Sequence, residues 1–300
     1  MLIEVYDVGG TLIRGAVGYL REKVTFLEKV QEPTEKDFCA QIRRLSPNLR
    51  KAHKPDLVSI IVPGPVKEGV LLKAPPLGIT SPININYELS SFDKKVYVGN
   101  DLNAAVQAEL SEGIGKYVEN FYLLTISTGI GAGIVLNGIP VSGTSGEFGH
   151  NVIERYWGLH IECGCGNSGC WGAMCSGKGI EMLARKYLHK RFSPKEVFGL
   201  GEIGNRDAKD LISKVRDYNA QGIGMMVNAF EVDKIAVMGS IGLKQFDKII
   251  PSKEEISRYT VNKIPDIIPT SLGDDIGLIG AYYYGMLHTS DVLREELAKK

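Results

Sequence analysis

Residues 5–15 read VYDVGGTLIRG, and residues 123–133 read LLTISTGIGAG. Each is an apolar, β-branched run that breaks at a Gly-rich turn and resumes, as a strand does when it reverses. A weak internal repeat of this kind implies two domains of similar topology facing each other across a cleft.

The segments around these turns alternate between strand and helix. DLVSIIVPGPV (56–66) reads as a buried strand ending at Pro63-Gly64, and KKVYVGNDLNAAVQAEL (94–110) as a strand passing through a Gly-Asn-Asp corner into a helix. Asn137-Gly138 is a hairpin turn signal. VDKIAVMGSIGL (232–243) reads as a further buried strand, and 277–300 as a long C-terminal helix. An α/β fold follows, with an N-terminal domain over residues 1–116, a C-terminal domain over 117–284, and helix 285–300 returning to the first.

The chain has 300 residues, enough for two cores. Lys plus Arg and Asp plus Glu both number 35, and no block of five like charges occurs, so neither nucleic acid nor an anionic membrane is the expected partner. The N-terminal stretch lacks the pattern of a secretory signal, no apolar run has membrane-spanning length, and five cysteines are an odd count. A reducing, cytoplasmic setting is expected.

Three Gly-rich segments compete as phosphate sites. GAMCSGKG (172–179) has the G-x-x-x-x-G-K spacing but ends in Gly where Ser or Thr is required, and no strand precedes it. GIGAG (129–133) lacks the following helix of a dinucleotide fingerprint. There remain the two strand-turn-strand elements, at Asp7, Gly9, Gly10 and Thr11 and at Ser127, Thr128, Gly129 and Gly131, with a third Gly corner at Gly239-Ser240. Taken singly, each could be an ordinary hairpin turn.

Together with PGPV (63–66), GNDLNAA (99–105), GEFGH (146–150), CGCGNSGC (163–170) and GLIGA (277–281), these turns resemble the ROK family of sugar kinases. The resemblance spans nearly the whole chain. It implies two actin-like (ribonuclease H-like) domains around a central cleft, and an ATP- and Mg²⁺-dependent kinase acting on a sugar, with homodimers expected. A repressor of the same family would carry a helix-turn-helix ahead of the first strand, which is expected here from Leu2.

Asp101, where a strand hands over to a helix, is the candidate base, since the helix N-terminus favours its ionised form. Its residue type suits a helix cap equally well; the resemblance favours the base. Asp7 would hold Mg²⁺ through water, or serve its turn as an Asx residue. By resemblance, Gly239 and Ser240 line the adenosine pocket, and Gly64, Asn100, Asp101, Glu147 and His150 meet the sugar.

His150, Cys163, Cys165 and Cys170 give H-x12-C-x-C-x4-C, a Cys₃His set suited to tetrahedral Zn²⁺. With every position filled by protein, such a zinc is structural. The spacing is not the C-x-x-C of a redox motif, and the expected compartment disfavours disulfides. Cys39 and Cys175 are expected in the core. The resemblance adds that the zinc histidine also faces the sugar.

Two residues depart from the family pattern. Gly172 stands where the family has a sugar-binding glutamate, and Pro76 where it has an asparagine, which leaves glucose as the default substrate and an N-acetylhexosamine as a competitor. Trp171 is expected to be buried rather than stacked on a sugar.

Overall fold

The computed structural model describes residues 1–141, 146–154 and 161–298, with side chains as far as Thr289. Contacts divide it into two compact units, Met1–Gly113 with Asp274–Lys300, and Ile114–Gly273.

The first unit has strands β1 (Leu2–Val8), β2 (Leu12–Leu20), β3 (Val24–Pro33) and β4 (Leu57–Val62). Three short strands follow, β5 (Val66–Lys67), β6 (Val70–Leu71) and β7 (Ile83–Asn84), and then β8 (Val96–Asn100). The main sheet has the order β3-β2-β1-β4-β8. β1 and β2 pair antiparallel from Leu2↔Tyr19 to Val8↔Ile13, and β4 lies parallel to β1 and to β8. Every residue of β4 is buried, as expected of a strand with parallel neighbours on both edges.

The second unit has β9 (Phe121–Ile126), β10 (Ile130–Leu136), β11 (Ile139–Pro140), β12 (Lys234–Met238) and β13 (Asp266–Pro269), in the order β11-β10-β9-β12-β13. Its central strand pairs antiparallel through a Gly-rich turn and parallel on the other edge, as in the first unit. The two expected strand reversals are therefore equivalent elements of the same α/β topology. Asn137 and Gly138, both at positive φ, close the β10–β11 hairpin.

Helix Phe38–Arg50 buries Phe38, Ile42, Leu45 and Leu49 in the cluster that holds Tyr6 and Ile13. The C-terminal helix runs Ile276–Ala298, against an expected 277–300, and residues 299–300 lie outside the described residues. Its early glycines let it pack closely: a Cβ at Gly280 would lie 2.4 Å from Ala104 O, so small residues let it press on helix Asp101–Glu112. Among the described residues, no helix is long and apolar enough to cross a membrane.

Candidate active site and metal centre

In the first unit, the turn between β1 and β2 closes through Gly9 N–H donating to Leu12 O at 2.9 Å. Thr34 clamps it, its N–H donating to Thr11 O at 3.0 Å and its Oγ1 to Gly9 O at 2.7 Å. Asp7, just before the turn, stands in register with Arg14. Burial pushes its carboxyl up to about 6, against the opposing pull of Arg14. A Cβ at Gly277, in the first turn of the C-terminal helix, would lie 2.2 Å from Asp7 Oδ2. A partly buried carboxylate with this penalty fits a cation site, because a nearby divalent ion would offset the cost of ionisation.

The second feature of this unit is the corner between β8 and helix Asp101–Glu112. Asn100, not Asp101, caps the helix: its side chain accepts from Asn103 N–H at 3.0 Å. The Asn100 Nδ2 group donates to Gly64 O at 3.0 Å and to Asp101 Oδ1 at 3.2 Å. Asp101 Oδ1 also accepts from Leu102 N–H at 2.8 Å. The cap role that Asp101 could have filled thus belongs to its neighbour, and Asp101 sits oriented in the first helical turn, where the dipole favours its anion.

In the second unit, Ser127 N–H donates to Gly129 O at 2.9 Å and shapes the β9–β10 turn. Thr128 lies in the turn, and Gly131 lies in β10 opposite Thr125. Ser240 Oγ is 3.3 Å from Ser127 Oγ, so this turn and the corner after β12 converge. Gly239 makes this possible: its φ is +92° and a Cβ would lie 2.5 Å from Ile126 O.

A third element joins them. Gly177 N–H donates to Ser127 O at 2.8 Å, placing the start of helix Gly177–Tyr187 beside the turn. This is the segment whose G-x-x-x-x-G-K spacing fails as a phosphate loop; its first residues lie in the short helix Trp171–Cys175. Its nearness to Ser127 had no signal in the motif.

The metal centre lies in the same unit. The ligand atoms of His150, Cys163, Cys165 and Cys170 all fall within 4.8 Å of one another. Cys165 Sγ and Cys170 Sγ are 3.7 Å apart, close to the roughly 3.8 Å edge of a tetrahedron with Zn–S bonds of about 2.3 Å, and His150 Nδ1 is 3.2 Å from Cys163 Sγ. The donor set fits Zn²⁺.

Val152 bridges to Cys170 and Glu162 to Ser168, and within the loop Cys163 N–H donates to Asn167 O at 2.7 Å, Gly166 N–H to Cys163 O at 3.0 Å and Gly169 N–H to Ile161 O at 3.1 Å, so backbone bonds hold the ligand residues in place. The Asn167 backbone holds the Cys165 thiol down at about 7, whereas burial pushes Cys170 up to about 12. Glu147, in the 3₁₀ turn Glu147–His150, places Oε2 at 3.2 Å from His150 Nε2.

Cys39 and Cys175 are buried away from this cluster, as expected. Trp171 is fully buried, with Nε1 donating to Asn219 Oδ1 at 2.8 Å, and Gly222 leaves room for its ring. At Gly172, a Cβ would lie 3.2 Å from Gly149 O, directly before His150 in sequence.

The ROK family model matches residues 5–285 of this chain. The chain belongs to the ROK family. An N-acetylmannosamine kinase of Haemophilus influenzae (strain PittGG) is 29% identical over 289 residues, which cover 93% of each chain. A glucokinase of Halalkalibacterium halodurans is 28% identical over 309 residues, covering 91% of this ROK chain and 92% of the relative. Among solved structures, a ROK hexokinase from Thermus thermophilus superposes with a TM-score of 0.79 at 27% identity, covering 97% of this chain and 100% of that one.

Proposed function

We propose that this ROK chain is an ATP-dependent sugar kinase that transfers the γ-phosphoryl group of ATP to a hydroxyl of a hexose. The observation that carries the reading is the corner at β8: Asn100 supplies the helix cap, and Asn100 Nδ2 and Leu102 N–H orient Asp101 Oδ1 in the first turn. Asp101 accepts the proton of the acceptor hydroxyl as the new O–P bond forms and the bond to ADP breaks.

Asp7, Gly9, Gly10 and Thr11 hold phosphate from the first unit; Ser127, Thr128, Gly129 and Gly131 do so from the second, with Gly239 and Ser240 along the adenosine. Mg²⁺, when bound near Asp7, neutralises charge on the phosphates. Gly64, Asn100, Glu147 and His150 position the sugar, and Zn²⁺ held by His150, Cys163, Cys165 and Cys170 shapes the loop that presents His150. The assembly is a homodimer.

Glucose is the default acceptor. N-acetylmannosamine or N-acetylglucosamine is the second reading, favoured by Gly172 and Pro76, which offer the sugar no side-chain hydrogen bond. The kinship to N-acetylmannosamine kinases supports it equally. A coupled ADP-release screen over glucose, mannose, fructose, allose and N-acetylhexosamines, with and without Mg²⁺, tests both. Turnover on none of them points instead to a non-catalytic, zinc-containing sugar-binding protein.

A further inference from the structure

One short loop touches both the acceptor corner and the first phosphate turn. At its start, Gly64, whose carbonyl is held by Asn100, presses on Lys73: a Cβ there would lie 2.2 Å from Lys73 O. At its middle, Gly10 presses on Pro76, and a Cβ at Gly10 would lie 2.9 Å from both the Cβ and the O of Pro76.

Between these contacts the loop is closed on itself. Ala74 and Ile79 exchange both backbone hydrogen bonds, at 3.0 and 3.1 Å, while Leu77 N–H donates to Ala74 O at 2.9 Å and Gly78 N–H to Pro75 O at 3.2 Å. Pro75 and Pro76 each lock φ. Pro76 is only partly buried and is not part of the first unit's buried core, so packing of that core does not explain it.

We infer that Pro76 is a positioning residue for the phosphate turn Gly9–Thr11, and that the stiff loop 73–79 ties nucleotide binding to the acceptor corner at Asn100. The inference rests on the kinase reading. Because the loop carries no side-chain donor at Pro75, Pro76 or Leu77, it acts through shape: the proline wedges against a glycine that has no Cβ to hold it off. Sugar that orders the Asn100 corner thereby orders the phosphate turn, and the reverse holds by linkage.

The test is the MgADP affinity of the full-length, zinc-loaded protein by calorimetry, with and without saturating sugar. In the parent, sugar tightens MgADP by about fivefold or more. Pro76→Gly weakens MgADP and cuts the sugar effect below about twofold, with KM for ATP rising more than kcat falls, and Pro76→Ala, which keeps the Cβ, recovers part of the loss.

Gly10→Ala drives a Cβ into the same contact; because Gly10 itself holds phosphate, its readout is the sugar effect on MgADP, which falls below about twofold, and it serves where Pro76→Gly fails to fold. Unchanged MgADP affinity and an unchanged sugar effect in these variants, beside an active parent, overturn the inference. A parent that binds MgADP but phosphorylates no sugar overturns the kinase reading and leaves the Pro76 wedge standing on its nucleotide affinities.

Discussion

His150 turns Nδ1 toward Cys163 Sγ at 3.2 Å and Nε2 toward Glu147 Oε2 at 3.2 Å. One ring thus faces the metal donors with one nitrogen and a carboxylate with the other, the arrangement that fixes tautomer and orientation in carboxylate–histidine–zinc triads. Glu147→Gln is expected to weaken Zn²⁺ binding about 10- to 100-fold. Competition with a chromophoric chelator reads this directly. Cys163→Ser should lose the metal outright and expose the 161–170 loop to protease; equal zinc content by elemental analysis in parent and variant would contradict the site.

Asn100 and Asp101 divide two roles that either residue type could serve. Asp101→Asn should keep the melting temperature and substrate binding while lowering kcat about 10²- to 10⁴-fold. Asn100→Ala should instead cost about 1 kcal/mol of stability through the lost cap, and loosen Gly64. Thermal melts beside steady-state kinetics separate the pair, and a destabilised Asp101→Asn protein would reassign the cap.

Asp7 ionises at about 6 in the folded chain against an ordinary value of 3.8. The folded state therefore holds its proton more tightly than the unfolded state, so stability falls as pH rises from 3.8 through 6 and the penalty is complete above that. Its size is on the order of 2 kcal/mol, after discounting for the partial exposure of Asp7. Asp7→Asn should melt several degrees above the nucleotide-free parent at pH 7.5, lose that advantage near pH 4, and fail to bind MgATP. A melting difference that does not vary with pH would remove Asp7 from the account.

Gly172 packs closely on Gly149, where an added Cβ would lie 3.2 Å from Gly149 O. Gly172→Glu puts a carboxylate near His150 and should lower KM for glucose about tenfold relative to N-acetylhexosamines. The ratio of kcat/KM for the two sugars is the measurement, and an unmoved ratio would dissociate position 172 from specificity.

Much of the site was legible before any fold was known. The Gly9-Gly10-Thr11 and Ser127–Gly129 turns announce themselves by composition, and His150, Cys163, Cys165 and Cys170 by spacing, because both signals are local. The residues that sequence left ambiguous are those whose role depends on a distant partner. Asp101 could have been the cap until Asn100 was seen to take Asn103 N–H. The SGK segment lacks the preceding strand of a phosphate loop, and only the Gly177–Ser127 hydrogen bond places the start of its helix beside the turn.

By itself, then, the amino-acid sequence determined the strand-turn-strand repeat, the α/β class and the metal ligand set, since each depends on residue type and short-range periodicity. Tertiary structure alone decided which of Asn100 and Asp101 caps the helix, which nitrogen of His150 meets Glu147, and that Pro76 wedges against Gly10. Residues 10 and 76 lie on separate strands' connections, and only the packing of those connections brings a glycine without a Cβ against a proline with a fixed φ.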